Sequence, residues 1–209
     1  MELQLIISFI GASVLLSIMP GPDNIFVLTE SLTKGHKNGI GIATGLSIGV
    51  LLHTLAAATG LSIIIQQSAF VFSLIKYLGA AYLFFLAYQS IKEKKPLLHV
   101  QTETSNQAVQ IFPLIRKGFL MNVLNPKVSL FFIAFLPQFI SPKGYNITIQ
   151  MVILGIIFMS QSWFIFSFIA VSSSRLNRQI RNPKFWKITK WGKISVLSLL
   201  ALTLIFSEK

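Results

Sequence analysis

Apolar residues fall in long unbroken blocks, not in the alternation of a half-buried strand or the narrow stripe of a soluble helix. Six blocks reach the roughly 20 residues that cross the hydrocarbon core of a bilayer: 3 to 30, 38 to 65, 70 to 91, 115 to 139, 147 to 172 and 188 to 206. Polar breaks separate them at 33 to 38 (TKGHKN), 66 to 68 (QQS), from Lys92 (KEKKPLLHVQTETSNQ), at 141 to 146 (SPKGYN), and along a basic stretch from Arg175 to Lys193. The pattern predicts an all-α integral membrane protein with six transmembrane helices.

Composition strengthens that reading. Of 209 residues, 53% are hydrophobic and 11% charged, and 18 phenylalanines stand against 6 acids. Such a chain has too little polar surface to cover a water-soluble globule, so lipid is its expected solvent. The net charge of +12 raises nucleic acid as a partner. The lysines and arginines fall in short clusters between apolar runs, however, which fits membrane topology and implies no nucleic-acid partner. With no cysteine, disulfides and thiolate metal sites are excluded. The start, MELQLIISF, has no basic n-region, so the first helix is expected to stay rather than act as a removable signal.

Basic residues set the orientation. On a six-span scheme, one side carries Lys34, Lys37, Lys92, Lys94, Lys95, Arg116, Lys117, Arg175, Arg178, Arg181, Lys184, Lys187, Lys190 and Lys193, which is fourteen of eighteen. Lys76, Lys143 and Lys209 fall opposite, and Lys127 lies within the fourth block. The heavily basic side is expected to face the cytoplasm, with both termini outside. The polar stretch 92 to 113 splits the chain into two three-span repeats, 1 to 91 and 114 to 209. Three spans per half invert the second half, and proteins built this way carry their binding site at broken helices in matching positions.

Two breaks occur at those positions. In the first span, MPGPDNIF (Met19 to Phe26) contains Pro20, Gly21 and Pro22; in the fourth, LMNVLNPKVSLFF (Leu120 to Phe132) contains Asn125 and Pro126. Proline lacks an N–H and disfavours the helical region for the residue before it. A turn should therefore unwind at each break, with carbonyls freed at Ser17 and Ile18 in the first. Bare backbone at membrane depth must be buried in protein or line a wet cavity.

Each break is followed at once by an ionisable residue, Asp23 after Pro22 and Lys127 after Pro126, of opposite sign. Asp23 lies eleven residues before Lys34 and Lys127 ten after Lys117, about 15 Å from one membrane face in both cases. A charge there costs about 2.5 kcal/mol or more and marks a functional site by default. The functional reading is a zwitterion site. Asp23 takes an ammonium, while Lys127 and the half-helix amides after Pro22 and Pro126 take a carboxylate. The bland readings are that Asp23 and Lys127 only neutralise one another, that Lys127 snorkels, or that Asp23 and Asn24 cap the amides themselves.

At these residues the sequence resembles the LysE/RhtB family of amino-acid exporters. The matching stretches are MPGPDNIFVLTESLTKGHKNGIGIATGLSIGVLLHTLAAATGL, IKYLGAAYLFFLAYQSIK and RKGFLMNVLNPKVSLFFIAFLPQFI. The resemblance covers nearly the whole chain and implies a carrier in a bacterial inner membrane that exports amino acids or related small solutes on an ion gradient. It leaves the substrate open.

Other features carry two readings each. Gly41, Gly45 and Gly49 form a small-residue seam that lets a helix approach closely, either within the molecule or in a homodimer. His53, mid-span, is either hydrogen-bonded packing or a proton relay with Asp23. Asn122 and Asn125 either satisfy freed backbone or touch substrate, and Asn24 is a further candidate substrate contact. Glu30 and Lys34 suit an i,i+4 pair. The segment from Arg175 to Lys193, with Trp186 and Trp191, suits an interfacial segment on anionic lipid. Asn146-Ile147-Thr148 fits a glycosylation acceptor pattern that is common by chance.

No hydrolase, zinc-protease or Walker motif is present, so neither catalysis nor ATP-driven transport by this chain is implied, and no cofactor or metal. An intramembrane enzyme would have only His53 and Asp23 to work with. Export of another small solute or a metal ion, and a non-transporting scaffold, are the remaining alternatives. Without cysteine a metal would lack an evident ligand set.

Overall fold

The computed structural model describes residues 2–61, 69–93, 110–141, 144, 146–180 and 182–206, and among them it is helical with no strand. The helices are α1 (Leu3–Ile18), α2 (Pro22–Lys34), α3 (His36–Ala56), α4 (Ala69–Lys92), α5 (Ile111–Val123), α6 (Pro126–Leu130), α7 (Ile147–Val171), α8 (Ser173–Ile180) and α9 (Pro183–Phe206). Four helical segments are long and apolar enough to cross a membrane. The pairs α1–α2 and α5 with Pro126–Phe139 raise this to six if each bent pair is one span. The break QQS at 66 to 68 and most of the 92 to 113 stretch lie outside the described residues.

Local sequence explains the boundaries. Pro22 and Pro126 each sit in the first turn of the helix they open, where the missing N–H costs nothing. The turn between α2 and α3 is a single residue, Gly35, at φ +91° with its N–H donating to the Ser31 carbonyl, a conformation that favours glycine. The sixth span starts at Pro183, earlier than the expected 188, because Asn182 Oδ1 accepts the Lys184 N–H at 2.9 Å and caps the helix. The basic stretch is therefore largely helical, in α8 and the first turns of α9. Asn146 likewise caps α7 through the Thr148 N–H, which gives this Asn-x-Thr triplet a structural use.

Helix α3 is the centre of the bundle. Its spanning window is 56% buried, against 22–28% for the windows of α4, α7 and α9, and it packs on α2, α5 and α7. Helix α4 pairs with α9, and α1 with α7. Beyond α6 the chain widens into a π turn, Phe131–Phe135, which packs against a second π turn, Ala57–Leu61. Phe9, Phe131, Phe135, Phe139 and Phe158 meet ring to ring in the core around it, where aromatic pairs contribute beyond their buried area.

The glycine seam is used inside the molecule. A Cβ at Gly41 would press on Leu114, one at Gly45 would overlap the Ile115 carbonyl oxygen, and one at Gly49 would meet Asn122 Cβ at 2.7 Å. Gly118 answers from α5, against the Ile42 carbonyl. The seam holds α3 against the first half of the second broken helix and is covered there.

Candidate functional site

Both breaks bend the chain sharply, by 56° between α1 and α2 and by 52° after α5. Asp23 and Lys127 each occupy the second position of the helix that follows, after Pro22 and Pro126 respectively. Asp23 is buried, Lys127 partly so. They are not an ion pair: among the described residues the salt bridges are Glu30–Lys34 and Glu93–Lys193. The expected Glu30–Lys34 pair forms at 3.0 Å.

Asn125 links the Asp23 carboxylate to the backbone of the second break. Its Oδ1 accepts the Lys127 N–H at 3.0 Å and caps α6, while its Nδ2 donates to Asp23 Oδ2 at 2.5 Å. One amide thus serves the second break and binds the carboxylate of the first. The capping also corrects one expectation. The Lys127 amide is already taken by Asn125, whereas α2, with Gly21 at its N-cap, has no side-chain cap. Neither Asp23 nor Asn24 caps it.

The freed carbonyls follow from the helical ladder. Residue i accepts from residue i+4, so Pro20 removes the i+4 donor of Leu16 and Pro126 that of Asn122, whose carbonyl still accepts the Asn125 N–H at 2.9 Å. Lys127 Nζ donates to the Leu16 carbonyl at 3.0 Å. His53 Nε2 lies 3.1 Å from the Asn122 carbonyl, which can only accept, so this nitrogen is the protonated one. The Ser17 carbonyl takes Asn24 Nδ2 at 2.9 Å. Ser17 therefore behaves as the sequence predicts. The second receiving carbonyl is Leu16 rather than Ile18, because Pro20, the first proline met, removes the donor that Leu16 would have used.

These bonds lace the two halves of the chain. Lys127 and Asn125 reach from the second half to the first, and His53 reaches from the first to the second. Gln161 of α7 adds a further link by donating to Ser17 Oγ at 3.0 Å. Sequence reasoning missed Gln161; its signal is the polar run Ser160-Gln161-Ser162 inside an otherwise apolar span. Three amides around the breaks have a buried oxygen with no partner among the described residues: Asn24 Oδ1, Asn122 Oδ1 and Gln161 Oε1. Such oxygens are acceptors awaiting a donor, since a buried acceptor left unpaired costs about 1–3 kcal/mol.

Two substitutions separate the roles of these contacts. Lys127→Met removes the donor to Leu16 and is expected to cost about 1–3 kcal/mol, read as a lower thermal unfolding midpoint in detergent. His53→Phe should cost about 1 kcal/mol or less, because the Asn122 carbonyl keeps the Asn125 N–H at 2.9 Å. Equal losses from the two would contradict this assignment.

Comparison with known proteins adds the family. The family model for the LysE type translocator matches residues 14–208. The chain is 31% identical over 194 residues to an uncharacterized membrane protein of Vibrio cholerae, covering 93% of this chain and 92% of that one. It is 33% identical over 191 residues to the uncharacterized membrane protein YrhP of Bacillus subtilis, covering 88% and 90%. A homoserine/homoserine lactone efflux protein of Salmonella typhimurium is 28% identical over 181 residues, covering 86% and 85%. No solved structure matches. With a match across nearly its full length and both breaks inside it, the chain belongs to the LysE-type translocators, a family of membrane transporters.

Proposed function

We propose that this protein exports amino acids or amino-acid derivatives across the bacterial cytoplasmic membrane, driven by the proton gradient, from a site between the two broken helices. The observation that carries the reading is the pair of opposite charges at matching helix positions, each bound to the other broken helix, Asp23 by Asn125 Nδ2 and the Lys127 ammonium by the Leu16 carbonyl. Asp23 and the unpartnered oxygens of Asn24, Asn122 and Gln161 suit an ammonium; Lys127 and the uncapped start of α2 suit a carboxylate. The efflux name of the Salmonella relative supports a solute of amino-acid type.

Inverted three-helix repeats, 1 to 91 and 114 to 209, are supported by the packing. The second and fifth spans pair as α3 with α7, and the third and sixth as α4 with α9. The first half of span one lies on span five, and the first half of span four on span two. That is the exchange a pseudo-two-fold axis would produce. The lysine and arginine distribution supports termini that face outward. In the transport cycle Asp23 alternates between the substrate ammonium and a proton, and the lacing through Lys127, Asn125 and His53 breaks and re-forms as the halves rock.

The test is efflux of labelled neutral, acidic and basic amino acids and homoserine from proteoliposomes under an imposed pH gradient. Gradient-dependent release of one class is expected. Release of no member would overturn the amino-acid reading and favour another small solute or a scaffold.

A further inference from the structure

A groove of about 600 Å³ opens beside the first break, between α2, α7 and α9. Its walls include Pro20, Asn24 and Leu28 of the broken helix, Phe168 of α7 and Trp186 of α9. From Asn24 to Leu28 the groove follows about one turn of α2, about 6 Å, and it continues to Pro20 in the break. Its lining is apolar apart from Asn24 and Thr189; Asn24 donates to the Ser17 carbonyl and its Oδ1 is buried, and the Thr189 hydroxyl is taken by the carbonyls of Phe185 and Trp186. A zwitterion would lose its hydration there and gain little. A hydrocarbon chain would lose nothing.

The segment that supplies the α8 and α9 walls of the groove is strongly basic. From Arg175 to Lys193 the sequence has seven lysines and arginines and no acid. Two of them are occupied: Lys193 pairs with Glu93, and Lys190 donates to the carbonyls of Ile91 and Glu93 at the end of α4. Arg175, Lys184 and Lys187 are exposed and make no side-chain hydrogen bond or ion pair among the described residues. Each is a sequence neighbour of a lining residue, respectively Leu176, Phe185 and Trp186.

We propose that the groove holds one acyl chain of an anionic phospholipid, whose phosphate is bound by Arg175, Lys184 and Lys187. Charge complementarity selects the anionic headgroup, and the apolar depth takes the chain up to Pro20. The lipid thereby becomes a wedge against the hinge of the first broken helix. The groove shares Asn24 with the proposed solute site, but lipid binding there does not depend on the exporter reading.

Trp186 lines the groove and reports its occupant. In a Trp163→Phe/Trp191→Phe background it is the sole tryptophan of three. Its fluorescence would be measured in vesicles containing phosphatidylglycerol or phosphatidylcholine with brominated chains. Preferential quenching by phosphatidylglycerol is expected, by about fivefold or more in relative binding constant. Changing Arg175, Lys184 and Lys187 together to Gln should bring that ratio close to one, while Lys184→Arg/Lys187→Arg should keep it. Filling the groove with Ile25→Phe/Ile165→Phe should reduce quenching by both lipids. Equal quenching by the two lipids in the parent, a ratio unchanged by the Gln variant, or quenching unchanged by filling would overturn the proposal.

Discussion

Asp23→Asn is expected to reduce efflux by at least about 2- to 30-fold while leaving the protein inserted and folded. An asparagine at this position still offers an oxygen to Asn125 Nδ2, so the bond that joins the two breaks has a neutral replacement. What disappears is the negative charge. A hydrogen bond to a charged group contributes about 1.5–3 kcal/mol, against about 1 kcal/mol for a neutral one, and each 1.4 kcal/mol is tenfold. Removing the only acid at the breaks also removes the group proposed to exchange proton for substrate. Efflux assayed in proteoliposomes, beside thermal unfolding curves of parent and variant in one detergent, separates the two effects. A variant that unfolds at the parent temperature and still exports at the parent rate would exclude Asp23 from the transport cycle.

Gly45→Val is expected to prevent proper assembly. Its Cβ would overlap the Ile115 carbonyl oxygen and come within 2.8 Å of the Phe119 nitrogen, both of them backbone atoms. A side-chain neighbour can turn aside; two helix backbones have to separate. Overpacking typically costs about 1–3 kcal/mol, and this contact belongs at or above the top of that range. Gly11→Ala is the matched control. Nothing lies within 4 Å of a Cβ there, so the exchange should be neutral or stabilise α1 by up to about 1 kcal/mol. Expression level and detergent-solubilised yield would report the difference, and equal yields would refute the close approach of α3 and α5.

Much of this arrangement was legible in the sequence because it depends on residues with strong local effects. Prolines mark both bends, glycines at four-residue spacing mark the seam, and a lone acid and a lone lysine after the prolines mark the charges. Pairwise geometry was less legible. Opposite signs at matching depth suggest an Asp23–Lys127 ion pair, yet Lys127 goes to the Leu16 carbonyl. The sequence does contain the reason, since Pro20 deprives that carbonyl of its partner, but only the fold brings a lysine 111 residues away within 3.0 Å of it. His53 is the counterpart. Its proximity to the Asn122 carbonyl answers the gap left by Pro126, and nothing local to either residue announces it. Gln161 was hidden for the opposite reason: one amide in an apolar span has no pattern, and its meaning comes from Ser17 across the bundle.

The decisive measurement uses the absence of native cysteine. Ser17→Cys places a single thiol at the first break, next to Asn24 and Gln161. If the site lies between the broken helices, a water-soluble thiol reagent should label it during turnover under a pH gradient, and an exported amino acid should slow the labelling. Absence of labelling from either face, in protein shown to be transporting, would contradict a solute pathway at these breaks.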